Sequence, residues 1–157
     1  QLTVEQLETV FQEPSPYAKL GATVTADSEH PGYEAGNVLD GDPATFWHTP
    51  WGDTSAPYPH WIRIDFKQPV TLYGIAVTPR QDMPNGHVGK YAVFVGDDPN
   101  RMERPVARGE FPEGSQTHEI HFETPARGKH LLLQAMRPHF PEHPWATMAE
   151  IRLVIGE

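Results

Sequence analysis

From residue 61 onward the chain alternates apolar and polar positions with the two-residue period of a half-buried strand. In Trp61-Ile62-Arg63-Ile64-Asp65-Phe66 the residues Ile62, Ile64 and Phe66 share one face, and Arg63 and Asp65 the other. Further strand patterns follow at 70–78, 91–95, 117–122, 130–136 and 151–155. They are separated by turn-forming clusters: Lys67-Gln68-Pro69, Asp82-Met83-Pro84-Asn85-Gly86, Asp97-Asp98-Pro99-Asn100 and Pro112-Glu113-Gly114-Ser115. Several short strands at this spacing predict an all-β protein, an antiparallel sandwich or barrel. The helical period occurs once. Thr3 and Gln6 match a capping box, and Val4, Leu7, Val10 and Phe11 fall on one face before Pro14 and Pro16 end the run. Residues 1–16 are therefore expected to be a linker or a short helix from an upstream domain, and residues 17–157 a single module.

Composition narrows the function classes. The 157 residues include 17 prolines, which break interior helix hydrogen bonds, and only 38% are apolar, which suits a thin core between two sheets. The net charge is −9, so an anionic membrane surface and the phosphates of a nucleic acid are disfavoured partners. No run approaches the roughly 20 apolar residues of a membrane helix. With no cysteine, disulfides, thiolate nucleophiles and cysteine zinc sites are all excluded. The chain begins at Gln1 without a charged-then-apolar leader, as expected of a mature or excised segment.

Two long segments, 27–60 and 138–145, are rich in aromatics and histidine, and binding groups concentrate in such loops. Catalytic patterns are missing along the chain. His118 and His121 lie three apart on a strand pattern and so point to opposite faces, which prevents joint zinc chelation. His139 and His143 lack an HExxH helix, and Gly114-Ser115 lacks the second glycine of a nucleophile elbow. Asp40-Gly41-Asp42, with Thr45 three residues on, offers hard oxygen donors around a glycine turn. Such a set suits Ca²⁺, although the same spacing also describes an Asx turn.

The block Asn37…Asp40-Gly41-Asp42…Thr45-Phe46-Trp47-His48-Thr49 is followed by Pro59-His60-Trp61-Ile62-Arg63-Ile64-Asp65-Phe66. With Pro79-Arg80-Gln81-Asp82…Asn85-Gly86…Tyr91-Ala92-Val93-Phe94-Val95 and Ala149-Glu150-Ile151, it resembles the discoidin-like (coagulation factor type C) domains. The chain is most similar there to family 32 carbohydrate-binding modules, over about residues 17–157. This resemblance implies a β-sandwich jelly roll with one structural Ca²⁺ held by Asp40, Thr45 and Glu150, with carbonyls around Val38 and Asp42. It also implies a site for terminal galactose or N-acetylgalactosamine. Trp51 would stack on the sugar and His48, Arg80 and Asn85 would hydrogen-bond to it. Glu29 would be an added acceptor, with Asp27 and Glu34 competing for that role. Pro84 departs from the pattern and bears on where Asn85 sits.

The implied protein is a non-catalytic, monomeric module, secreted or held at a bacterial cell surface, that targets an attached glycan-degrading enzyme. The alternatives are a spacer or protein-contact module and, third, a phospholipid-binding relative. The last is disfavoured by the absent cysteine pair and the net charge. Trp47, Trp61 and Trp145 are expected in the core, with Phe140 as an alternative wall of the pocket.

Overall fold

The computed structural model describes residues 17–156, so the helical pattern at residues 3–11 lies outside the described residues. Eight strands follow in order: β1 (Thr23–Ala26), β2 (Trp47–His48), β3 (His60–Thr78), β4 (Val88–Gly96), β5 (Ala107–Glu110), β6 (His118–Pro138), β7 (Thr147–Met148) and β8 (Glu150–Gly156). All pairings are antiparallel. The order β1-β3-β6-β4-β5 carries β8 on β3, and β2 pairs with β7 apart from this sheet.

The two long strands make the sandwich. The first part of β3 pairs with β1 and with the last part of β6, and its second part pairs with β8 and the first part of β6. The register shifts between Asp65 and Val70, where both strands pass from one layer to the other. Lys67-Gln68-Pro69, expected as a turn between two strands, is thus a bend inside one. Proline carries no N–H, and a strand accommodates it at such an irregularity, where no ladder bond is lost. The segments 117–122 and 130–136 likewise belong to the single strand β6.

Between the layers lie the side chains that the two-residue period selected. Ile62, Ile64, Leu72, Ile75, Leu131 and Leu133 are at most 1% exposed. Each such side chain contributes about 1.5–3 kcal/mol by leaving water. Trp47 is fully buried as expected, and its indole N–H donates to the Ser28 carbonyl at 2.9 Å, so the burial leaves no donor unmade. Trp61 differs from its expectation. It is half-buried, with the Arg63 guanidinium 5.9 Å above its ring, because odd positions in this part of β3 face outward.

A clasp closes the long 27–60 segment. Asp27 accepts hydrogen bonds from His60 Nδ1 at 2.8 Å and from the Trp61 backbone N–H at 3.1 Å. His60 Nε2 donates to the Pro144 carbonyl at 2.7 Å, and the Tyr58 hydroxyl donates to the Trp145 carbonyl at 2.9 Å. Both imidazole nitrogens thus face acceptors, an arrangement that only the doubly protonated ring satisfies. Burial acts to lower the His60 pKa, but the bonds to Asp27 and Pro144 outweigh it and the net shift is upward. Both long loops are thereby held at one end of the sandwich.

Candidate functional site

At that end a cleft of about 390 Å³ is lined by Tyr33, Phe46, His48, Trp51, Gly52, Arg80, Met83, Asn85 and Trp145. Four of the five sugar-contacting candidates, His48, Trp51, Arg80 and Asn85, are brought together here. Each is positioned by a local rule.

His48 follows Trp47 in β2, so the pleat sends the indole into the core and the imidazole to the opposite side. The backbone of His48 is pinned twice: its N–H donates to the Tyr33 carbonyl at 3.1 Å and its carbonyl accepts from His30 N–H at 2.8 Å. Nδ1–H donates to the Thr49 carbonyl, which leaves Nε2 with its lone pair. Burial lowers the His48 pKa. The Thr49 bond opposes that shift, and the nearby charges of Arg80 and His30 add to it. His48 is therefore a neutral imidazole whose remaining ring nitrogen accepts.

Trp51 is 40% exposed, unusual for so large an apolar side chain. Its ring stacks on His30, centroids 3.4 Å apart and planes 9° apart, and meets His48 and Tyr33 edge-on at 4.7 and 5.4 Å. With one face against His30, the exposure belongs to the other face and the rim. A held, half-open indole is a flat apolar platform.

Arg80 lies over Phe46, its guanidinium carbon 4.4 Å from the ring centroid. Nε and Nη2 donate to the Asp82 carboxylate at 2.7 and 3.4 Å, and Nη1 to the Asn85 carbonyl at 3.5 Å. Three of the five guanidinium N–H donors are engaged, which leaves two in a fixed plane (5 − 3). The exposed Asp82 carboxyl is held below the usual range by its hydrogen bonds to Arg80.

Asn85 is set by the turn behind it. Gly86 has φ +82°, and a Cβ there would stand 2.5 Å from Thr147 Cγ2, so only glycine lets the 79–87 loop lie this close to β7. Thr147 Oγ1 donates to the Asn85 carbonyl at 3.1 Å, and Thr147 N–H to the Gly86 carbonyl at 2.8 Å. His87 Nε2 donates to the Arg80 carbonyl at 2.8 Å from beneath. Pro84 is accommodated within this loop, and Asn85 reaches the cleft.

Glu29 does not line the cleft. Its Oε1 accepts from the Ala35 backbone N–H at 3.4 Å, at the start of the 3-10 turn Ala35–Leu39. Asp27 is committed to the His60 clasp, and the exposed Glu34 precedes the same turn. Trp145, expected in the core, is half-buried and walls the cleft instead, because Pro144 is drawn inward by His60 and carries the next residue to the rim. Phe140 is not part of the lining; it packs between His139 and His143. Tyr33, Phe46 and Met83 also line the cleft without having been singled out individually, although Tyr33 and Phe46 lie in the aromatic-rich 27–60 segment.

The calcium candidates meet elsewhere. Gly41 N–H donates to Glu150 Oε2 at 3.3 Å across 109 positions of chain, and the Thr45 hydroxyl donates to Asp40 Oδ2. Asp42 makes the Asx-turn bond, its carboxylate accepting from Ala44 N–H at 2.9 Å, while its carbonyl accepts from the Thr45 hydroxyl at 3.0 Å. Val38 is fully buried at the base of the turn. Among the described residues no three carboxylate, histidine or cysteine side chains converge on one point. A cation here would rest on two carboxylates supplemented by neutral oxygens, and one observation fits it. Glu150 Oε1 is buried without a hydrogen-bond partner. Burial first, and then the adjacent Asp40, push the Glu150 pKa up to about 8, as expected of two acids that share a space.

The fold and cleft define a class, the galactose-binding-domain-like β-sandwich with a loop-end site. Over residues 23–151 the chain matches the F5/8 type C domain, and it belongs to that family. It is 36% identical over 133 residues to galactose oxidase of Gibberella zeae, covering 83% of this chain and 19% of that protein. To the sialidase of Micromonospora viridifaciens it is 34% identical over 131 residues, covering 81% and 20%. The chain thus spans about a fifth of the length of these curated relatives. Among solved structures, it is similar to the family 32 carbohydrate-binding module of Clostridium perfringens NanJ in complex with galactose. That match has a TM-score of 0.74 and 26% identity, covering 84% of this chain and 92% of the other. The fold is shared as well by a further C. perfringens module, CpGH89CBM32-5, in complex with GalNAc-β-1,3-galactose, at TM-score 0.75 and 23% identity, covering 85% and 94%.

Proposed function

We propose that this chain is a non-catalytic carbohydrate-binding module for terminal galactose or N-acetylgalactosamine-type sugars. The observation that carries the reading is the meeting, in one open cleft, of a braced indole, a planar cation and a neutral imidazole acceptor. A hexose presents one apolar C–H face and a rim of hydroxyls that both donate and accept. Trp51 covers the face, the two unengaged N–H groups of Arg80 donate, His48 Nε2 accepts, and the Asn85 amide does either. An axial 4-hydroxyl gives His48 and Arg80 a group that a gluco sugar would place elsewhere. The galactose complex of the NanJ module supports this choice of sugar.

Binding in an open cleft leaves much of the sugar wet, so a single-site Kd on the order of 0.1–1 mM, about 4–5.5 kcal/mol, is expected. Retention on a glycan then comes from linkage to an attached glycan-active enzyme outside the cell, through effective concentration. Asp40, Thr45 and Glu150, with the Asp42 carbonyl, would hold a Ca²⁺ that ties the 40–45 turn to β8. Such an ion supplies a cross-link where no disulfide can form. Calorimetric titration with galactose, N-acetylgalactosamine, glucose and fucose tests the reading. Saturable heats for the galacto sugars support it, and silence with all four overturns it.

A further inference from the structure

A second cavity, of about 440 Å³, opens on the other side of the 138–145 loop, where β5, β4 and β6 lie side by side. Its charged residues sit in register: Glu110 on β5 and Arg137 on β6 are both paired with Lys90 on β4. Arg137 Nη2 contacts Glu110 Oε1 at 3.2 Å across β4. Lys90, between them, has no ion pair among the described residues. Two cations directly opposite one another on neighbouring strands repel, and the one carboxylate in the row is taken by Arg137. In a chain of net charge −9 this is a local excess of positive charge facing a cavity.

The floor is apolar and shaped. β4 is irregular here, with register shifts on both sides of Lys90. At Gly89 it approaches the end of β6 so closely that a Cβ would stand 2.8 Å from the Pro138 carbonyl oxygen. A bulged strand re-aims its side chains. The Gly89 carbonyl takes the Phe111 N–H at 2.7 Å, and Phe111, its ring packed inward on Tyr91, borders the cavity, with Pro138 and Pro141 as walls.

We propose that this cavity is a second binding site, separate from the Trp51 cleft, for a sugar ring that bears an anionic group. Lys90 and Arg137 contact the charge while Pro138 and Pro141 contact the ring. A carboxylate and a sulfate ester share the chemistry this site recognises. The site goes beyond the galactose reading and does not depend on it.

The test is a ¹⁵N NMR titration of the whole chain with galacturonate, with galactose 6-sulfate and with galactose. The expected result is saturable shifts of the Gly89, Lys90, Phe111 and Arg137 amides with at least one anionic sugar and not with galactose. Which sugar acts names the source of the charge. Both Lys90→Gln and Arg137→Gln should weaken this binding about tenfold, the loss of one charge-assisted contact. Glu110→Gln should tighten it, by freeing Arg137. Trp51→Ala should leave it intact, which separates failure of this proposal from failure of the galactose site. Absence of these shifts with both anionic sugars overturns the proposal. So do equal shifts with galactose, or shifts indifferent to Lys90→Gln and Arg137→Gln.

Discussion

Replacing Arg80 by lysine keeps the positive charge and removes the fork, and so isolates what the guanidinium geometry does. In the free protein three of its five N–H donors are engaged by Asp82 and Asn85, and two remain, with the guanidinium carbon 4.4 Å from the Phe46 ring centroid. A lysine ammonium cannot present two coplanar donors. Losing one charge-assisted bond costs about 1.5–3 kcal/mol, a weakening of roughly tenfold to 150-fold. Starting from a Kd on the order of 0.1–1 mM, binding of Arg80→Lys would fall to or below the edge of detection. The fold should tolerate the change. The Phe46 contact is worth about 0.5–1 kcal/mol, and the pair with the exposed Asp82 about 0–1. At about 2–4 °C per kcal/mol for a chain of this size, Tm should fall by only a few degrees. Galactose titration followed by NMR, with a thermal melt of the same sample, reads both quantities. Binding within about twofold of the original would refute the role of the fork. A fall in Tm beyond about 10 °C would show that Arg80 acts on folding instead.

The remaining predictions concern the cation and the histidines. Chelator added to a calcium-loaded sample should lower Tm by several degrees. A ligand at about 100 times its Kd contributes about 2.7 kcal/mol, and an unchanged melt would remove Ca²⁺ from the account. Sugar affinity should be flat above about pH 6.5 and decline on acidification, because protonation converts His48 Nε2 from acceptor to donor beside Arg80. Affinity that rises on acidification, in a pH series of titrations, would contradict the assigned tautomer. For His60 the sign is opposite. Its folded pKa is raised, so the stability it contributes is complete below its ordinary value of 6.5 and is lost as pH rises through the higher folded value. Urea melts of His60→Gln against the parent chain should show the gap narrowing with rising pH above about 6.5, and a widening gap would refute the doubly protonated ring.

The alternation in 61–66 reported a half-buried strand because burial on one face imposes a period of two, and every even position there is buried. What local pattern could not show is that this strand and the 70–78 segment are one. The bend at Lys67-Gln68-Pro69 has the composition of a turn, and only its partners β6, β1 and β8 keep the chain extended through it. His48, Trp51, Arg80 and Asn85 were legible because the order of their motifs resembles a known family. Glu29 and Trp145 were misplaced for a common reason. Each depends on a long-range contact, the Ala35 N–H for Glu29 and the His60–Pro144 bond for the loop ahead of Trp145. Such contacts leave no periodic trace. Tyr33, Phe46 and Met83 reach the cleft from separate loops, and their convergence is a property of the fold.

The chain has four tryptophans, and their indole N–H signals report the central claim directly. Trp51 and Trp145 line the cleft, Trp47 is fully buried with its N–H bonded to Ser28, and Trp61 lies on β3 outside the cleft. In a ¹H–¹⁵N titration with galactose or N-acetylgalactosamine, the Trp51 and Trp145 indole signals should shift together along one saturation curve. Those of Trp47 and Trp61 should stay in place. Four unmoved indole signals, or movement confined to Trp47 and Trp61, would contradict sugar binding in this cleft.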